Sequence, residues 1–314
     1  MPQYIGAQTI VGISFETVYG TFVPATRFFP VKSENLTEPF KHVARRLIRG
    51  VADNLGHVQG NHNVEGDLVM ELYPDVLPYF LYVSRVSIVK TGAGPYQYVT
   101  TPVHVGDSTA LTKPSISINV FKAGESFGFC GCAVSGWDLS VEDGIPIITV
   151  HIIGSKELDQ ADPTPVFLTT DVPVTAVGWA IQIPDASAIL TVEDVTFSVN
   201  DNAEPQFRLG NTGAQWVKFG EREVKAECTR DFNSRAEFDL YKVVTATSVT
   251  IILTQGSKIV TIKMANVTRE TYEIDGSTDQ GSPVMAKISY MGNYDITTSK
   301  SYEVTVAGSL TNIV

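Results

Sequence analysis

Short runs of alternating apolar and polar residues, broken every few positions by Gly, Pro, Asn or Asp, dominate this chain and predict β-strands. The clearest are Ile116-Ser117-Ile118-Asn119-Val120, Thr149-Val150-His151-Ile152-Ile153, Val195-Thr196-Phe197-Ser198-Val199 and Val249-Thr250-Ile251-Ile252-Leu253. They are rich in the β-branched residues that suit a pleated, half-buried surface. Two helices are expected, besides a helical turn over His42 to Ile48. Asp231 stands ahead of residues 233–242, where it can cap the first backbone N–H groups and where Phe232, Ala236, Leu240 and Tyr241 form an expected apolar stripe. Asp75 stands likewise before Val76 to Tyr82, although Pro78 restricts that helix to a first-turn or broken form.

The two helices fall within one recurring order of landmarks. Glu38-Pro39, the strand Gly66 to Tyr73, Asp75, then Tyr79 to Tyr82 and a strand closing at Gly154 make the first series. Glu204-Pro205, the strand Glu223 to Thr229, Asp231, then Phe238 to Tyr241 and the run Ile288 to Gly292 make the second. The expected fold class is therefore mainly β, with two tandem β-sandwich or barrel units, each carrying a short flanking helix. Residues 1–30 read as an extended N-terminal arm, 31–160 as the first unit, 161–293 as the second and 294–314 as a C-terminal strand or arm.

The strand before each helix carries a period of two. Leu68, Met70 and Leu72 point inward while Asp67, Val69 and Glu71 point outward; Val224, Ala226 and Cys228 point inward while Glu223, Lys225 and Glu227 point outward. Asp67, Glu71, Glu223 and Glu227 thus become candidate residues of one acidic outer face, with an ordinary solvated face as the alternative. Long connections precede both strands, Phe40 to His62 and Gln206 to Phe219. The first gathers Lys41, Arg45, Arg46 and Arg49, a basic cluster that points to a contact surface for a partner.

Composition narrows the function. A length of 314 residues suits two units, and 43% hydrophobic with 18% charged residues is a globular balance. The formal charge of −11 argues against a protein that grips nucleic acid by its phosphates. No apolar run is long enough to span a bilayer, and Met1-Pro2-Gln3-Tyr4-Ile5-Gly6 predicts no secretory leader, so synthesis in a cytoplasm is expected.

Candidate chemistry is sparse. Cys130, Cys132 and Cys228 are too few for a disulfide framework; Cys130 and Cys132 lack further ligands at zinc spacing, and Cys228, at the position matching Leu72, reads as a core residue. His57 and His62 near Asp53 lack helical phasing for a metal site. Asn200-Asp201-Asn202-Ala203-Glu204 lacks the glycine and spaced carboxylates of a calcium loop and reads as a turn with Asx hydrogen bonds. Asp138, Glu142 and Asp143 offer an acid pair of the kind glycosidases use, but in an acidic β protein such clustering arises by chance. No nucleophile elbow, phosphate loop, zinc-protease helix or dinucleotide fingerprint occurs. No enzyme activity and no cofactor are expected.

The order of several segments resembles the tail tube proteins (major tail proteins) of long, non-contractile tailed bacteriophages. The segments are Phe15-Glu16-Thr17-Val18-Tyr19-Gly20-Thr21-Phe22 with Pro24, then Pro30 and Ser33-Glu34-Asn35-Leu36, then Val64-Glu65-Gly66-Asp67-Leu68 running into Glu71-Leu72-Tyr73-Pro74-Asp75. Pro114 to Ile118, Val195 to Asn202 and Thr229-Arg230-Asp231-Phe232 continue the series. The resemblance implies a structural virion protein whose rings stack into the tube through which the genome leaves. In its duplicated form it implies homotrimeric rings of pseudo-sixfold symmetry. It implies that Asp67, Glu71, Glu223 and Glu227 face the lumen, that Lys41, Arg45, Arg46 and Arg49 lie in a ring-stacking loop, and that DNA passes without specific binding. Tape-measure, tail-terminator and tail-tip proteins are the further partners it implies, with no membrane and with the virion tail as the location. The first helix departs from the family pattern at Pro78. A free β-sandwich binding module, such as a capsid-decoration or carbohydrate-binding protein, is the alternative.

Overall fold

The chain was analysed as a computed structural model, which describes residues 9–44, 56–92, 96–103, 115–169, 171–175, 179–183, 192–232, 234–276 and 284–313. Two long strands of 18 residues organise the closed barrel, β10 (Glu125–Glu142) and β19 (Lys258–Asp275), and each changes partners along its length. The N-terminal part of β10 pairs with β9 (Ile116–Lys122) on one edge and β12 (Lys156–Asp159) on the other. β9 continues to β1 (Ile10–Phe15) and then β2 (Arg27–Phe29). From Ala133 onward, across a register shift at Val134/Gly136, β10 pairs with β11 (Ile145–Gly154), which leads to β6 (Val64–Glu71) and β3 (Ser33–Glu34).

The second half repeats this order of pairings. The N-terminal part of β19 pairs with β18 (Thr247–Gln255) and β21 (Glu303–Gly308), and β18 continues to β13 (Trp179–Gln182). Past a register shift at Arg269/Thr271, β19 stays with β20 (Met285–Gly292), which leads to β17 (Glu223–Asp231) and β14 (Val192–Asn200). The halves join where β14 pairs with β10, and where the hairpin β7 (Val86–Thr91) and β8 (Tyr96–Pro102) adds to β21. Small two-stranded sheets, β4 (His42–Ala44) with β5 (His57–Gln59) and β15 (Glu204–Gln206) with β16 (Trp216–Lys218), stand in the long connections before β6 and β17, so that His42–Ala44 is strand rather than the start of the helical turn expected over His42 to Ile48.

The core lies within the barrel, because every second residue of each strand faces it. Leu68, Met70, Val224, Ala226, Trp137, Phe197 and Tyr302 are all buried there. Each large apolar side chain so buried contributes about 1.5–3 kcal/mol. The fold is also tied by charge. Asp75, 3% exposed, takes a hydrogen bond from Lys258 Nζ at 2.6 Å, from Ser309 Oγ at 2.7 Å and from the Ser309 amide at 3.0 Å. Arg85 donates to the Gly220 carbonyl at 2.6 Å, and Arg222 donates to Asp201 at 2.6 Å and to the Arg85 carbonyl at 2.5 Å.

The expected helices form with different ends. α1 (Leu77–Val83) begins after Val76, and Pro78 sits within its first turn, where a missing N–H costs nothing. Asp75 does not cap it: the carboxylate is spent on Lys258 and Ser309, so burial rather than capping holds this helix. α2 (Arg235–Lys242) begins after Ser234, and Asp231 lies in β17 with its backbone paired to Met285, too early to cap. The apolar contact made by α2 is Phe238 and Tyr241 against Tyr272, while Ala236 and Leu240 face outward. In the N-terminal stretch, residues 10–15 and 27–29 are extended strands packed into the sheet.

Candidate functional site

The C-terminal parts of β10 and β19 place eight strands side by side in the order β3-β6-β11-β10-β14-β17-β20-β19, all antiparallel. One face of this sheet packs on the core. The other carries polar side chains across both halves of the chain, and the four carboxylates expected on one outer face all lie on it.

Asp67 opposes His151 in register and bonds its Nδ1 at 2.6 Å; Asp138 on β10 bonds Nε2 at 2.8 Å. His151 is therefore an imidazolium bracketed by two carboxylates. Hydrogen bonding to Asp138 is the largest influence, and with Asp67 it outweighs partial burial and raises the imidazole pKa to about 9. Glu71, at the end of β6, accepts a hydrogen bond from Tyr73 at 3.3 Å. Glu227 opposes Ser289 and lies 3.5 Å from Lys287. Glu223 opposes Asn200 beside a groove of about 460 Å³ over the β10–β14 seam, lined also by Asp138, His151 and Lys225. The face is acidic but partly neutralised: Glu65, Asp67, Glu71, Asp138, Glu223 and Glu227 share it with His151, Lys225 and Lys287. Sequence reasoning missed the His151 bracket. Its only signal was a histidine on the polar side of an alternating strand.

Strand pairing in the two halves can be compared at the same distance from Gly154 and Gly292. Asp67 faces His151 where Glu227 faces Ser289, three and three residues before Gly154 and Gly292. In pairing register Asp67 takes the place of Glu227, Leu68 that of Cys228 and Glu71 that of Asp231, whereas the landmark order sets Cys228 beside Leu72 and Asp231 beside Asp75. The drifting landmark spacing hid this register.

Of the expected stacking residues, Lys41 is exposed at the base of the β4–β5 hairpin, its carbonyl accepting the Gly60 amide at 2.7 Å. Arg45, Arg46 and Arg49 lie outside the described residues, as does Asp53. The connections from the two halves meet: the His62 amide donates to the Thr212 carbonyl at 3.0 Å, and the imidazole bonds Glu38 and, at 2.9 Å, Thr212 Oγ1.

The other chemical candidates are satisfied structurally. His62 uses both ring nitrogens in those contacts, and the described residues contain no cluster of metal-ligand type. Cys130, Cys132 and Cys228 are buried free thiols; burial pushes Cys130 and Cys228 up to about 11 and Cys132 well above its usual range, so none is a thiolate near neutral pH. Asp138 is held by His151 and Glu142 by Lys32 at 2.5 Å, so they do not converge as an acid pair. Asn202 turns with positive φ while its amide bonds Asn200 Oδ1 at 2.8 Å, and Asp201 pairs with Arg222.

The site is thus a broad antiparallel sheet whose outer face carries acidic side chains of both halves, several of them held by neighbouring strands. The phage tail tube protein family matches residues 6–292, and the chain belongs to that family. It is a structural component of a bacteriophage tail. No curated protein matches the chain.

Proposed function

We propose that three copies of this chain close a ring of pseudo-sixfold symmetry, that rings stack into the tail tube, and that the genome leaves through its lumen. The observation that carries this reading is the repeated strand order β3-β6-β11-β10 and β14-β17-β20-β19, joined edge to edge at β10–β14. It supports a chain built of two like units. Among the described residues, the eight-strand sheet ends at β3 on one side and at the C-terminal part of β19 on the other. Repeating the internal junction between chains makes a heterologous contact that closes after three copies, six units in all. Ile274 supports the same reading. It corresponds to Leu139 in pairing register, yet Leu139 is 1% exposed beneath the β10–β14 seam and Ile274 is 44% exposed at the uncovered end.

In this ring the polar face bearing Asp67, Glu71, Glu223 and Glu227 lines the lumen. Carboxylates repel duplex phosphates across about one Debye length, roughly 8 Å at physiological salt, and leave the DNA free to slide. The β4–β5 and β15–β16 hairpins, adjoining on one side of the sheet, form the contact with the next ring, where basic Lys41, Arg45, Arg46 and Arg49 set register. Tape-measure, terminator and tip proteins then bind the ends of the stack, and the protein is made in the host cytoplasm. Electron micrographs of concentrated protein test the assembly: hollow tubes of constant width are expected, and monodisperse monomers at every concentration would overturn it.

A further inference from the structure

The two ends of the eight-strand sheet are not equally ready to pair. Asn35 and Thr37 direct their amides to β6, donating to the Asp67 carbonyl at 3.2 Å and the Glu65 carbonyl at 3.0 Å. The intervening Leu36 amide therefore points away from β6, to an edge that no strand pairs among the described residues. It is not bare, because Glu34 Oε2 accepts it at 3.2 Å while Glu34 Oε1 takes Lys122 Nζ at 3.0 Å. The Glu34 side chain is only 7% exposed. In the pairing register Glu34 corresponds to Val195, since Glu34 faces Leu68 as Val195 faces Cys228, and Leu36 corresponds to Phe197. Phe197 sits opposite Leu139 of the neighbouring strand. The carboxylate thus occupies, in the first half, the edge position that a strand occupies in the second.

We propose that Glu34 is an edge guard: in the free subunit it binds the Leu36 amide and blocks strand addition, and ring closure displaces it with β19 of a second copy of this chain. A charge turned inward on an edge strand is a known way to discourage indiscriminate pairing. The internal seam fixes the register. Asp138 and Leu139 pair with Ser198 and Phe197, so Glu273 and Ile274 of one copy meet Thr37 and Leu36 of the next. Exposed Glu273 and Thr37 then fall on the polar face, and exposed Ile274 meets buried Leu36 on the core face. Pairing stops at Pro39, which has no amide hydrogen to give. The guard rests on the ring proposed above.

The test places Thr37→Cys and Glu273→Cys together in the full chain, with Glu34 retained or changed to Val, the residue at position 195. Opposed antiparallel residues have Cα atoms about 4.5–5.5 Å apart, a separation a disulfide accepts. On mild oxidation, covalent trimers should appear on a non-reducing gel with Glu34 present. They should appear about tenfold faster with Glu34→Val, the factor expected when one hydrogen bond to a charged group no longer competes. Glu34→Gln, which keeps an acceptor but not the charge, should fall between, and thermal melting of the subunits checks that each variant is folded. Equal trimer rates in all three backgrounds would overturn the guard and leave the ring standing. No covalent oligomer in any of them would overturn the seam, and with it both proposals.

Discussion

The two halves of the chain pair their strands in the same order but cover their helices differently. α1 buries Leu77, Pro78, Phe80, Leu81 and Val83, with Phe80 edge-on to Phe29 at 5.4 Å and Tyr79 stacked on Phe15 at 5.9 Å. The strands β1 and β2 and the connection between the halves supply that cover: Arg27 pairs with Asp171, and the Val174 amide donates to the Leu72 carbonyl. α2 buries no residue completely; Phe238 and Tyr241 lean on Tyr272, Glu237 pairs with Arg230, and Leu240 remains 42% exposed. A helix of seven residues with no side-chain cap is too short to persist by propensity, so α1 exists because its apolar surface is buried. α2 owes more to its own sequence, with Glu237 in the first turn and Lys242 in the last, each placed to suit the helix dipole.

The contrast can be broken most forcefully in the first half. Phe80→Ala leaves a cavity beneath α1 and should cost about 3–5 kcal/mol in urea unfolding. Phe238→Ala, at the partly open α2 contact, should cost about 1–2 kcal/mol. Equal costs would show that the two helices are held alike. Asp75→Asn should cost less than Phe80→Ala, about 1–3 kcal/mol, because it removes the charge that the Lys258 and Ser309 hydrogen bonds meet in a mostly buried site.

Asp75 also sets an acid limit. Burial pushes its carboxyl up, but hydrogen bonds from Lys258 and Ser309 and the Lys258 charge outweigh that and hold it below the ordinary value. A folded pKa below the unfolded one gives stability that is complete above about pH 4 and is lost as pH falls through the folded value. Melting temperature against pH should show this acid loss in the native chain and a smaller one in Asp75→Asn. His151 works in the opposite direction. Its folded pKa of about 9 lies above the unfolded value, so its contribution is complete below about pH 6.5 and fades as pH rises through about 9. The group is 36% exposed and solvent screens it, so His151→Gln should flatten the alkaline side of the profile only slightly. The smallest effect belongs to Leu240→Ala, within about 0.5 kcal/mol for the isolated subunit.

Much of the architecture was legible because it rests on local alternation. Leu68, Met70 and Leu72, and Val224, Ala226 and Cys228, face the core as their period of two requires, and the opposed carboxylates share the outer face. What escaped depends on residues far apart in sequence. Asp75 and Asp231 have the form of helix caps, yet one is drawn to Lys258 and the other stays in its strand. Alternation says nothing of which histidine meets which carboxylate across strands, so the Asp67–His151–Asp138 bracket emerged only from register. The hold of Glu34 on the Leu36 amide likewise depends on the direction of the neighbouring amides, which sequence does not give.

A cryo-electron microscopy reconstruction of assembled tubes is the most direct test. Three chains per ring are expected, with residues 35–38 of one chain paired to residues 272–275 of the next and with Asp67, Glu71, Glu223 and Glu227 turned to the lumen. Six chains per ring, or those carboxylates on the outer surface of the tube, would contradict the account.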